Sequence, residues 1–232
     1  MGVCERLRVD CARVWEGLHA HAFIRELAAG TLPAEKFRFY VEQNLQYLPE
    51  YARTMAIGAT KADDLETMQL FAGDLANILD SEIPENRELL RRVLELGAED
   101  RGGADGMAPA TVAYTGFLVS TAAEGGTLEI MAAIVPCTWS YGEIASALIA
   151  EGVVHDHPVY FEWIRFFGQP QYDAIVRKLR ADFEAMARGA SETQLRRLSE
   201  LFTTSTRLEQ AFWDMAYNLE HWPDVRARYP LG

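Results

Sequence analysis

The chain has 232 residues, 49% hydrophobic and 24% charged, with a formal net charge of −12 at pH 7. That length supports one large domain with its own core, and the acidic balance argues against DNA or RNA as a partner, because phosphate binding needs a basic face. No apolar run approaches the ~20 residues that cross a bilayer, and three cysteines without scaffold spacing point to a reducing cytoplasm.

Apolar residues at helical spacing, Val3, Leu7, Val14 and Leu18 among them, predict a first helix over Val3–Leu18. Cys4 and Cys11 share one face of it and read as packing. The opening segment is charged and amphipathic and lacks the apolar core of a signal peptide. Gly30 closes a short helix over Ala22–Ala29, and Leu32-Pro33 opens the next.

Pro33 to about Thr60 reads as one long helix, bent near Pro49. Tyr40, Asn44, Tyr47 and Tyr51 stand on it at i, i+4, i+7 and i+11, a stripe of phenols with one amide. Ordinary core stripes are aliphatic; this one carries hydrogen-bonding groups along its length. It is either a ligand-facing wall or a half-buried stripe whose hydroxyls reach water or backbone. Asp63–Leu79 and Glu85–Leu96 form the next pair, with a break expected around Ile83-Pro84. Gly97–Ala108, rich in Gly and Asp, reads as the longest irregular stretch. Pro109–Ala123 is a further helix carrying Tyr114, ended by Gly125-Gly126.

Thr127–Ile149 holds the most unusual chemistry. Cys137 directly follows Pro136 inside a helical pattern, so a kink and freed backbone polar groups are expected beside the thiol. Tyr141, four residues on, shares its face; Glu143 and Trp139 point elsewhere. Cys137 is either a nucleophile beside a phenol or, as most free cysteines are, a small buried apolar residue. Gly152–Pro158 reads as a loop. Its His155 and His157 lack further ligands nearby, so no metal site is expected. Tyr160–Phe167 is a short aromatic helix, and Tyr172–Arg188 and Glu192–Asn218 close the chain before a short tail after Trp222-Pro223.

On the last helix Phe202, Ser205, Glu209, Phe212 and Ala216 fall on one face, and Glu209 is the only charge in that stripe. A buried carboxylate must be partnered or protonated. Glu209 is either a proton donor near neutrality or the partner of a buried Arg. No segment alternates with period two, so the chain is predicted all-α: a single-domain bundle of about 8–10 helices over residues 1–232.

Four stretches in order resemble the TenA family, the thiaminase II or aminopyrimidine aminohydrolase family. They are HAFIRELAAGTLPAEKFRFYVEQNLQYLPEYARTMAIGATKADD, AYTGFL, PCTWSYGEIA and TSTRLEQAFWDMAY. The resemblance implies a haem-oxygenase-like helical fold, a homotetramer, a small pyrimidine substrate and no cofactor. It also implies that Cys137 is the nucleophile that adds to the pyrimidine ring and that Glu209 is the acid/base carboxylate. Tyr114 and Tyr141 would flank the thiol, and Tyr47 and Phe212 would pack on the ring. Two positions depart from the family: Asn44 replaces a usual aspartate at the aminopyrimidine edge, and Phe167 replaces a common site tyrosine. An amide keeps one acceptor but loses the charge, so altered or reduced activity on the usual aminomethyl pyrimidine is expected. The competing classes are a di-metal or cofactor oxidase of the same fold, a non-enzymatic regulator, and a ligand-binding protein without turnover. The oxidase needs inward-facing His and carboxylate sets, and the five His supply one Glu-x-x-His pair, Glu16 with His19.

Overall fold

The computed structural model describes residues 2–97, 106–153 and 157–223. Every regular element among them is helical. Four helices form the centre: α4 (Ala34–Lys61), α7 (Pro109–Glu124), α8 (Thr127–Ala150) and α11 (Glu192–Asn218), each packed on the other three. Three short helices, α1 (Val3–Asp10), α2 (Ala12–His19) and α3 (Ala22–Ala28), lie against α11. The pair α5 (Leu65–Asn77) and α6 (Ile83–Glu95) covers α4, while α9 (Tyr160–Gly168) and α10 (Pro170–Met186) cover α8.

Local signals account for most of the boundaries. Asp64 caps α5 by accepting from the Thr67 amide at 2.8 Å, and Ser191 with Gln194 forms a capping box at α11. Pro109 and Pro170 occupy the first residues of α7 and α10, where a missing amide costs no helical bond. Gly30, at φ 70°, supplies the left-handed residue after α3. Gly58 lets α5 approach α4: a Cβ there would lie 2.6 Å from the Phe71 ring. The core between the layers is aromatic. Tyr40 stacks on Trp213 at 5.1 Å, and Trp15 on Phe202 at 5.8 Å.

Three expectations need correction or limits. The first helix is two, because the backbone leaves helical geometry at Cys11 (φ −107°, ψ 15°). The break expected around Ile83-Pro84 is absent; a π turn over Ile78–Glu82 joins α5 to α6 without a loop. Pro84 sits in the first turn of α6, where proline is tolerated, so its break signal belongs to a helix start. Most of the expected Gly97–Ala108 loop, His155 in the expected Gly152–Pro158 loop, and most of the tail lie outside the described residues.

Glu143 fastens the N-terminal helices to α8. Its Oε1 accepts from Arg8 Nη2 at 3.0 Å and from Trp15 Nε1 at 3.0 Å, and His19 Nε2 lies 3.1 Å away. Burial would raise this carboxyl, but the His19, Arg8 and Trp15 contacts outweigh it and bring it down to about 2. A depressed carboxylate stabilises the fold above its unfolded pKa and loses that contribution as pH falls through the folded value. Glu143→Gln is therefore expected to cost about 2 kcal/mol at pH 7. That corresponds to a Tm drop of roughly 4–8 °C for a chain of this size. The gap between wild type and variant should narrow as pH falls from about 4.5 toward about 2. Thermal unfolding at pH 7 and pH 3 checks both the size and the sign.

Candidate active site

Helix periodicity places Tyr40, Asn44, Tyr47 and Tyr51 on one face of α4, and all four line a cavity of about 60 Å³. Helix α8 contributes Cys137 and Tyr141 from one face, α7 contributes Tyr114, α9 contributes Phe167, and α11 contributes Glu209 and Phe212. The structure thus brings all eight candidate site residues of the sequence to one cavity. Trp139 and Glu143 turn the other way, toward Trp15 and Arg8.

Pro136 stands inside α8 without ending it. Next to it, Ser140 Oγ donates to the Cys137 carbonyl at 3.2 Å, and Ser205 Oγ of α11 donates to the Ala133 carbonyl at 2.6 Å. Hydroxyls therefore bind backbone carbonyls around the proline and hold α8 to α11 at the thiol.

Glu209 is 2% exposed. Tyr114 Oη donates to its Oε1 at 2.5 Å, and the Cys137 thiol is within hydrogen-bonding reach. No cation pairs with it among the described residues. Burial pushes the carboxyl up to about 7; the Tyr114 and Cys137 hydrogen bonds pull in the opposite direction and only partly offset burial. Of the two readings of Glu209, the buried-Arg pair is therefore the one the geometry removes. Burial first, then the Glu209 charge, holds the Cys137 thiol well above its ordinary value. The resting pair is a protonated thiol beside a carboxyl whose pKa lies near neutrality.

The rings form a cage. Tyr47 and Tyr114 lie 5.0 Å apart, Tyr47 and Phe212 6.0 Å, and Tyr141 and Phe167 4.9 Å. Tyr47 Oη is buried and faces the Cys137 thiol. Behind the cage, Trp163 Nε1 donates to Tyr40 Oη at 3.3 Å, and Tyr40 Oη donates to Tyr141 Oη at 3.3 Å. An indole N–H only donates, so this relay runs toward the cavity and leaves the Tyr141 proton free to face a ligand.

Sequence reasoning missed a second wall, made by the π turn and α6. Glu82, Glu85 and Asn86 line the cavity there. Burial, and then the charges of Asp74 and Glu85, push the Glu82 carboxyl up to about 7, against one hydrogen bond from Asn77 at 3.0 Å. Expecting a chain break at Ile83 concealed these residues, and a π turn leaves no periodic signature of its own. A larger cavity, about 730 Å³, adjoins between α6 and α9 and shares Glu85, Asn86 and Phe167 as walls. Among the described residues no three His, Cys, Asp or Glu side chains come together as a metal site. The Glu-x-x-His histidine, His19, faces Glu143 instead of an inward donor set. No described helix is long and apolar enough to cross a membrane.

Comparison with known proteins adds family evidence. The model of the TENA/THI-4/PQQC family matches residues 10–219. An aminopyrimidine aminohydrolase of Halalkalibacterium halodurans is 36% identical over 90% of this chain and 92% of its own length. The solved TenA homologue protein from P. horikoshii OT3 superposes with a TM-score of 0.83 at 29% identity, covering 94% of this chain and 99% of that one. A Shewanella denitrificans domain of unknown function with a heme oxygenase-like fold superposes at 0.62 and 13% identity, covering 93% of this chain and 92% of that one. That last likeness concerns the fold alone.

Proposed function

This chain belongs to the TENA/THI-4/PQQC family, and we propose that it is an aminopyrimidine aminohydrolase of the thiaminase II type. It replaces the amine, or a thiazolium, on the exocyclic methylene of a 4-amino-2-methylpyrimidine by water, a salvage reaction for thiamin. The observation that carries this reading is the thiol–carboxyl pair: Cys137 beside a Glu209 carboxyl pushed to about 7, within a cage of rings.

Glu209 takes the Cys137 proton as sulfur bonds to the flat ring packed against Tyr47 and Phe212. The added electron pair moves toward the methylene, the C–N bond breaks, and the amine departs with the proton Glu209 had taken. Water then adds to the methylene carbon and gives a proton to Glu209. The ring–sulfur bond breaks, aromaticity returns, and Glu209 reprotonates the sulfur. Covalent addition divides one hard displacement into easier steps. The Tyr141 hydroxyl, its proton aimed inward by the Trp163–Tyr40 relay, supports charge that builds on a ring nitrogen. The larger cavity beside α6 gives the leaving group its way out. The protein works as a homotetramer in the cytoplasm, a small-molecule enzyme without cofactor.

Incubation with 4-amino-5-aminomethyl-2-methylpyrimidine and, separately, with thiamin, following hydroxymethyl pyrimidine by mass, tests the reaction. Absence of that product from both would refute it. A second reading, hydrolysis of an altered pyrimidine, is favoured by Asn44. A carboxylate there would bind a protonated aminopyrimidine edge by charge-assisted hydrogen bonds that an amide cannot make. Asn44→Asp is expected to raise kcat/KM on the aminomethyl pyrimidine by about tenfold, the worth of adding charge to one hydrogen bond. Steady-state rates check it, and no gain would mean that the amide is not a handicap.

A further inference from the structure

Asn44 does not stand alone in the cavity wall. Its Nδ2 donates to Asn86 Oδ1 at 2.9 Å, and Asn86 Nδ2 donates to the Glu82 backbone carbonyl at 2.9 Å. The direction of this chain is set at its far end. A carbonyl oxygen only accepts, so the Asn86 side chain must turn its nitrogen to Glu82. Its oxygen then faces Asn44, which must answer with its own nitrogen. Asn44 Oδ1 is left without a protein donor among the described residues, and one N–H of the Asn44 amide is still unspent. Both belong to a side chain that lines the cavity with Cys137 and Glu209.

From this we propose that Asn86 is a positioning residue that sets the specificity of the site, holding Asn44 in the one orientation that selects a neutral 4-aminopyrimidine over a 4-oxopyrimidine. This rests on the hydrolase reading above. The edge of a neutral 4-aminopyrimidine offers an N–H from the exocyclic amine beside a ring-nitrogen acceptor. The fixed Asn44 edge offers the matching oxygen and N–H, as asparagine does to the adenine edge. A 4-oxo ring reverses both groups. To bind it Asn44 would have to flip, placing its oxygen against the Asn86 oxygen, and Asn86 cannot follow without turning its own oxygen onto the Glu82 carbonyl. The π turn matters because it carries that carbonyl into the wall.

The test measures binding of 4-amino-5-hydroxymethyl-2-methylpyrimidine and its 4-oxo counterpart by calorimetry, with steady-state kinetics on the aminomethyl pyrimidine. Asn86→Ala is expected to cut the amino-over-oxo preference about tenfold. KM should rise while kcat holds, since the thiol and carboxyl are untouched. In an Asn44→Asp background the same Asn86 substitution should change the preference less than about twofold, because a carboxylate has no amide to orient. Asn86→Ser, too short to hold Asn44, gives the same reading should the alanine variant fail to fold. An unchanged preference in Asn86→Ala, or an equal loss in both backgrounds, overturns this inference while leaving the hydrolase reading intact. Absence of both binding and hydroxymethyl product overturns the two together.

Discussion

Cys137→Ser is expected to lower kcat on the aminomethyl pyrimidine by at least about a thousandfold. A serine hydroxyl keeps the size and the hydrogen bond to Glu209. Its proton, though, is far harder to remove than a thiol's, and a carboxyl poised at about 7 cannot take it. The ring cage is untouched, so KM should change little, and product affinity by calorimetry should stay within about threefold. That split separates a chemical role from a structural one. A buried apolar cysteine replaced by serine would lose stability and leave turnover of the folded fraction unchanged. Retained turnover in Cys137→Ser would remove the adduct from the mechanism.

Glu209→Gln is expected to reduce kcat by about 10²–10⁴-fold, the range for losing a general acid/base. The pH profile is the sharper measurement. Wild-type kcat/KM should rise with pH through about 7, because the free enzyme needs Glu209 ionised to accept the thiol proton. The glutamine variant should lack that limb. Stability should move the other way. A carboxyl raised in the fold is ionised in the unfolded chain before it is ionised in the native one, so its burial costs stability as pH rises from about 4.5 to about 7. Glu209→Gln should then be more stable than wild type above pH 7, by on the order of 1–3 kcal/mol. The advantage should fade toward pH 4. A variant that is slower and more stable is the signature of a group kept for chemistry at the expense of the fold. A variant that is slower and less stable would point to a structural carboxylate.

The helices were largely legible because burial on one side of a helix imposes a 3.6-residue repeat that the chain displays directly. The long α4 and the last helix α11 lie where apolar spacing puts them, and Ser191 caps α11. Legibility failed where a signal has two meanings. Pro84 marks a break in isolation but is a first-turn residue in α6, and Cys11 interrupts a pattern whose spacing runs on through it. Among the cavity residues, Tyr40 and Tyr51 belong to the α4 stripe and were visible in its phenols. Glu82 and Asn86 were not visible, because their register depends on one π turn, which leaves no periodic signature of its own.

Sequence alone determined the helical class and the faces. Periodicity states which residues point the same way along one helix, and that covers the α4 stripe, the Cys137–Tyr141 pair and the lone carboxyl at Glu209. Packing decided what those faces meet. Only the bundle brings α4, α7, α8 and α11 around one cavity, leaves Glu209 without a cation among the described residues, and turns Asn86 between Asn44 and a backbone carbonyl. Desolvation and hydrogen-bond direction depend on neighbours remote in the chain, and such neighbours leave no periodic trace.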